Sequence, residues 1–244
     1  IDDDVDRIYR RYFKPLLDEL KDKNFLDSND LYRRLDRVYH RTVSLAELVD
    51  QDVLQTPEML ELAKINPYFT IEFNNPNKSG GVYYPTKNAM SLSINIAAVE
   101  LLIQYKYDME YLSQVIPNFK AFKSEFTPEK NKGTIHHELA HFYDDTMNNK
   151  HIKKYIDNKN DTRRKQPVAV SNFEIEGTIH SIKQYMKNND DWDTMNFNDL
   201  IANIPSMDAI KDELKDNKPF MWELWKRKIK ARMAREEILG KNMR

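Results

Sequence analysis

Residues 137–141 read His137-Glu138-Leu139-Ala140-His141, two imidazoles four residues apart with a carboxylate directly after the first. On an α-helix of about 3.6 residues per turn, positions i and i+4 share one face, so both rings can reach a single metal ion. Glu138 lies about 100° around the helix from His137. It can flank the ion without ligating it, where a general base for a metal-activated water belongs. The spacing therefore implies zinc, an activated water and hydrolysis of a peptide bond.

The flanking residues suit a buried helix. Thr134-Ile135-His136 precede the motif and Phe142-Tyr143 follow it, and Glu138 is the one Asp, Glu, Lys or Arg between Thr134 and Tyr143. A helix over 134–147 is expected, with Thr134 near its N-cap after Lys132-Gly133. His136 points about 100° away from His137 and is read as a helix-flank residue. Asp144 and Asp145 either accept hydrogen bonds from the ligand imidazoles, fixing their tautomers, or stand solvated at the helix end.

Two histidines leave a catalytic zinc site one protein ligand short. The chain has no cysteine, so thiolate ligands and disulfides are excluded and the missing ligand must be a histidine or a carboxylate. The metzincin extension needs a glycine three residues and a histidine six residues after His141, but those positions hold Asp144 and Met147. Between Glu138 and Glu213 the glutamates are Glu174 and Glu176, both in Phe173-Glu174-Ile175-Glu176-Gly177. Two residues apart on a helix, they point about 200° from each other, so one at most faces the metal. Glu176 is the expected ligand, because Gly177 beside it would let two helices approach closely. Glu174, with Gly177 three residues on, is the alternative.

These motifs carry a resemblance. Uncharged residues around H-E-x-x-H resemble the extended zincin signature. Glu176-Gly177 resembles the E-G-x-x pattern on the ligand helix of many gluzincins, whereas Glu174 with Gly177 resembles E-x-x-A. His141-Phe142-Tyr143-Asp144 completes H-E-x-x-H-x-x-D, which resembles the catalytic domains of lethal-factor-like toxin peptidases. The resemblance covers residues 67–187. It implies a mainly helical domain with a small sheet, a glutamate ligand on a later helix, bound Zn²⁺, and endopeptidase activity with Glu138 as general base. The chain departs from it at one point. Such enzymes place an oxyanion-stabilising tyrosine seven residues before the ligand glutamate, and that position here is Ala169, or Pro167 for Glu174. Tyr143, Tyr155, His180 and Tyr185 are the candidates for a replacement donor.

The rest of the chain must position these groups. Its 244 residues are 40% hydrophobic and 32% charged with a net charge of −1, a soluble globular composition with no bulk attraction to nucleic acid or acidic membranes. No apolar run approaches the roughly 20 residues of a membrane span. No signal peptide is visible. The chain begins Ile1-Asp2-Asp3-Asp4 rather than with methionine, which leaves an upstream segment and the compartment open.

Val5, Ile8, Tyr12 and Leu16 recur at helical spacing, as do Leu31, Leu35, Val38 and Leu45. Ser28 is the expected cap of the second helix and Thr56-Pro57-Glu58 opens a third. Strands are expected at 68–73, 82–84 and 90–95, with a turn-rich loop at 74–81. In 90–95, Leu92 and Ile94 face one side and Ser91, Ser93 and Asn95 the other. Further helices are expected at 96–111, 170–186 and 220–239, with a basic loop at 150–166. The fold class is thus α+β: a mostly helical zincin-like domain with an about three-stranded sheet before the motif helix. Residues 1–65 form an N-terminal helical region, 66–187 the catalytic core and 188–244 a C-terminal helical region packed with it as one unit. A protein or peptide substrate would add as an extra strand along an edge strand, 90–95, and the flanking helices leave room for a protein partner.

Two other readings are possible on sequence grounds. A zincin fold can be kept as a structural or assembly component with little or no catalysis, and the missing tyrosine favours that reading. Glu138 and His141 also form E-x-x-H, but a di-iron bundle needs a second copy, and Glu176 and His180 are four apart rather than three.

Overall fold

Apolar residues at helical spacing near the amino terminus build a nearly continuous helical run in the computed structural model, which describes residues 1–38, 40–73, 80–147, 172–204, 207–215 and 218–243. The expected loop at 150–166, most of that at 74–81, and Tyr155, Pro167 and Ala169 lie outside the described residues. The chain divides into two compact units, Ile1–Glu138 and Leu139–Arg244, and the division falls inside one continuous helix.

In the first unit the run comprises α1 (Asp2–Ile8), a π-helical stretch (Tyr9–Phe13) and α2 (Lys14–Lys21). Val5, Ile8, Tyr12 and Leu16 are all buried, as their spacing predicts. Pro15, in the first turn of α2, has no N–H to give, and its ring would crowd the carbonyl four residues earlier. The wider π turn just upstream accommodates it.

Helix α3 (Ser28–Val38) is capped by Asp27 rather than Ser28, the Asp30 N–H donating to Asp27 Oδ1 at 2.8 Å. Residues 41–44 are not the helical continuation that Leu45 suggested. They form strand β1 (Arg41–Ser44), after which Ser44 caps α4 (Leu45–Asp50) by accepting from the Glu47 N–H at 3.1 Å. The β-branched Thr42 and Val43 suit the strand. Helix α5 (Pro57–Ile65) opens with Pro57 in its first turn, as expected.

Three strands follow: β2 (Thr70–Phe73), β3 (Gly81–Tyr84) and β4 (Ala89–Leu92). Among the described residues the sheet therefore has four strands rather than about three, in the order β1-β2-β4-β3. β1 runs antiparallel to β2, β2 parallel to β4 with Ile71 opposite Met90, and β4 antiparallel to β3 with Gly81 opposite Leu92. Ile71 and Phe73 are buried while Thr70 and Glu72 are partly exposed, the alternation of a sheet covered on one face. Tyr12 stacks on Phe73 at 3.8 Å, so the first helical run covers the sheet. Leu92 and Ile94 are buried as expected, but so is Ser93 on the face expected to be wet.

One expectation is corrected by the strand order. Residues 90–95 are not an edge: β4 is hydrogen-bonded to β2 on one side and β3 on the other, so its backbone has no free ladder to offer a substrate. Among the described strands the edges are β1 and β3.

The expected single helix at 96–111 is two, α6 (Ile96–Gln104) and α7 (Met109–Val115). Lys106 and Tyr107 adopt left-handed backbone (φ 49° and 60°), which no helix can continue through. Asp108 then caps α7, accepting from the Tyr111 N–H at 3.0 Å. After α8 (Phe119–Ser124) comes α9 (Pro128–Met147), the motif helix. It starts earlier than expected. Thr127 caps it, its Oγ1 accepting from the Lys130 N–H at 3.3 Å, and Thr134 is an interior residue whose hydroxyl donates back to the Lys130 carbonyl at 3.1 Å.

The second unit holds α10 (Asn172–Asn188), α11 (Phe197–Asn203), α12 (Asp208–Leu214) and α13 (Pro219–Arg235). Its core joins Ile175, Ile179 and Ile182 of α10 to Leu200, Trp225, Ile229 and Met233. Among the described residues no helix is long and apolar enough to cross a membrane.

One buried carboxylate ties the first helix to a distant one. Asp4 is fully buried; its Oδ1 accepts from the backbone N–H groups of Gln55 (2.8 Å) and Thr56 (3.2 Å), and its Oδ2 from the Thr56 hydroxyl. Asp4→Ala strands three donors and is expected to cost about 3 kcal/mol, while Asp4→Asn, which keeps an acceptor, costs less than half of that. Urea denaturation midpoints of the two variants check this; equal midpoints for Asp4→Ala and the parent chain would remove Asp4 from the fold's supports.

Candidate metal centre

The middle of α9 has little solvent face. Ile135, His136, Glu138, Leu139, Ala140, His141 and Phe142 are buried and His137 is half-buried, as the uncharged flanks of the motif require. Its front half is fastened within the first unit by polar contacts. Lys132 pairs with Asp6 at 2.8 Å, Lys130 with Glu125 at 2.6 Å, and the Nε2 of His136 lies 3.0 Å from Asp2 Oδ1. His136 is thus bound to the amino-terminal helix and stands outside the ligand group. Sequence reasoning did not find Asp2 or Asp6, because nothing local links residues more than 120 positions apart.

His137, His141 and Glu174 converge. Each offers one ligand atom, and these atoms all lie within 4.8 Å of one another. The Nε2 of His141 is 3.5 Å from Glu174 Oε2. Tetrahedral coordination with bonds of about 2.0–2.2 Å separates neighbouring donors by about 3.4 Å. The His141–Glu174 pair already meets that spacing, and small side-chain rotations close the remainder. Two imidazoles and a carboxylate suit a divalent first-row ion, so the group can hold a metal.

Glu176, the expected third ligand, faces elsewhere. Its Oε2 accepts from Arg232 Nη2 on α13 at 2.9 Å, and Arg232 also lies 2.9 Å from Glu236, which pairs with Lys183. This carboxylate belongs to an ion-pair network between α10 and α13. Helix geometry explains this placement. Gly177 follows Glu176 directly and so points about 100° away from it, whereas it comes three residues after Glu174 and lies within about 60° of it. Gly177, Thr178 and Ser181 are buried small residues on the Glu174 side of α10. The glycine marked a close-packed face, but that face is Glu174's.

Glu138 is 6% exposed and is not a member of the ligand group. The first residue of strand β3, Gly81, lies against it. The sequence signal for that neighbour was the pair Gly80-Gly81 opening a strand. Asp144 and Asp145 are partly buried beyond the motif. Among the candidate oxyanion donors, Tyr143 and His180 are partly buried, and Tyr185 packs against the core of the second unit. Burial, assisted by the negative charge of Asp191, holds the Tyr185 phenol above its ordinary pKa. No family model, curated protein sequence or solved structure matches the chain.

The geometry separates the two glutamates in a measurable way. Glu174→Ala is expected to weaken metal affinity by orders of magnitude, leaving two imidazoles. Glu176→Ala should change it by less than about tenfold, the lower end of what a supporting group contributes. Competitive chelator titration of both variants decides it, and a site emptied by Glu176→Ala but not by Glu174→Ala would reverse the assignment.

Proposed function

We propose that this chain is a zinc-dependent endopeptidase of the gluzincin type. The observation that carries the reading is the convergence of His137, His141 and Glu174, with Glu138 next to the first of them on the same helix. Two imidazoles and one carboxylate, with the histidines in H-E-x-x-H spacing and a glutamate between them, form a ligand set that suits catalytic zinc. When bound, zinc supplies Lewis acidity toward a carbonyl and brings the pKa of its water to about 7.

The chain's own residues do the remaining work. Glu138 takes the proton from the attacking water and passes it to the departing amine. Its burial keeps bulk solvent from competing for that proton. The substrate's backbone adds as a strand beside β3, which stands at the end of the strand order among the described residues and whose first residue lies against Glu138. Backbone pairing of this kind selects extended peptide chains.

Hydrolysis of casein and of a mixed peptide library by the purified, zinc-loaded protein tests the reading. Chelation should abolish cleavage and added zinc restore it. Glu138→Gln should lose at least about 100-fold in kcat, within the usual span for removing a general base, while retaining one zinc per chain. No cleavage by the zinc-loaded parent chain, or an unimpaired Glu138→Gln, would sink the proposal.

A further inference from the structure

Strand β3 meets α9 more closely than any side chain would permit. A Cβ built on Gly81 falls 2.6 Å from Glu138 Cγ, 2.9 Å from Glu138 Oε1 and 2.9 Å from Thr134 Cγ2. Separations below about 3.0 Å are repulsive, since carbon atoms pack at about 3.5–4.0 Å. The obstruction at Glu138 Cγ is near the root of that side chain. Relief therefore requires a different Glu138 rotamer or a shift of the strand.

Backbone conformation gives no competing reason for glycine here. Among the described residues no glycine has a positive φ, so the backbone at Gly81 is open to any residue and only the space forbids one. The neighbouring glycine behaves differently. A Cβ on Gly80 would meet Lys130 Nζ at 3.1 Å and Thr134 at 3.2 and 3.3 Å, and the lysine contact is the far end of a flexible chain that can move aside.

We propose that Gly81 is a positioning residue that sets the separation between the edge strand and the carboxylate of Glu138, and so fixes Glu138 in its working rotamer. The inference rests on the peptidase reading for its catalytic consequence, but the contact itself can be tested without activity. With no side chain at 81, the strand backbone closes over Glu138 and confines the carboxylate between β3 and Thr134. A methyl group there would push the base off its proton path, and a displacement of about 1 Å at such a group can cost on the order of 100-fold in rate.

The experiment compares Gly81→Ala, Gly80→Ala and the parent chain, each also carried in a Glu138→Ala background. Gly81→Ala is expected to lower kcat by about 100-fold with KM changed less than about threefold and one zinc per chain retained. Gly80→Ala should stay within about threefold of the parent in both constants. In thermal unfolding, Gly81→Ala should lower the midpoint in the parent chain and lower it less in the Glu138→Ala background, because that background removes the collisions with Glu138 Cγ and Oε1 and leaves that with Thr134 Cγ2. If Gly81→Ala does not fold in the parent chain but folds in the Glu138→Ala background, the contact is upheld. Equal destabilisation in both backgrounds, or parent-like kcat for Gly81→Ala, overturns the proposal. So does a raised KM with unchanged kcat, which would assign Gly81 to substrate pairing alone. An inactive parent chain would count against the peptidase reading, and the midpoint comparison would still decide whether Gly81 holds Glu138.

Discussion

Three donor atoms can share one ion only if they come within a few ångströms of each other, and no short stretch of chain supplies all three here. A helix turn brings two imidazoles onto one face at no cost in tertiary structure, since i and i+4 are neighbours by covalent geometry alone. The third donor must come from another helix, so the site depends on where Glu174 of α10 stands relative to His141 of α9. Their 3.5 Å separation is the constraint that much of the second unit serves. Gly177, Thr178 and Ser181 make the Glu174 side of α10 thin, and Ile175, Ile179 and Ile182 anchor the helix in its apolar core. The Glu176–Arg232 pair occupies the carboxylate that could otherwise compete for the ion.

The first unit imposes the complementary constraint on the motif helix. Asp2, Asp6 and Glu125 hold His136, Lys132 and Lys130 within two turns of α9 just ahead of the motif. Three partly buried polar contacts along one helix fix its rotation and register, which is what a pair of directional ligands needs. Burial of residues on most sides of the motif then leaves few alternative rotamers for the functional groups.

Features set by local geometry were the legible ones. The helix carrying His137 and His141, the α+β character, and the burial of Val5, Ile8, Tyr12 and Leu16 all follow from spacing. What the sequence hid was set by distant partners. β1 is four residues long and its apolar content, one valine, is too small to signal a strand beside Leu45, whose helical spacing pointed elsewhere. The strand order places β4 inside the sheet because β2 pairs with it in parallel, and no pattern within 90–95 reports which of its two edges is occupied. Glu174 rather than Glu176 stands beside the two histidines for a different reason. On a helix the residue three along shares a face and the next one does not, so Gly177 marks the face of Glu174. The kink between α6 and α7 depends on left-handed backbone at Lys106 and Tyr107, residue types that rarely announce it.

Two of the ligand-forming side chains, His141 and Glu174, are 33 positions apart along the chain. An ion gripping both would act as a removable cross-link. Closing a loop of that length restricts the unfolded chain by on the order of 3–4 kcal/mol at room temperature, as a covalent bridge would, in a protein that has no cysteine to make one. The same three side chains that could hold the ion would then also decide how long the folded chain survives once that ion is withdrawn.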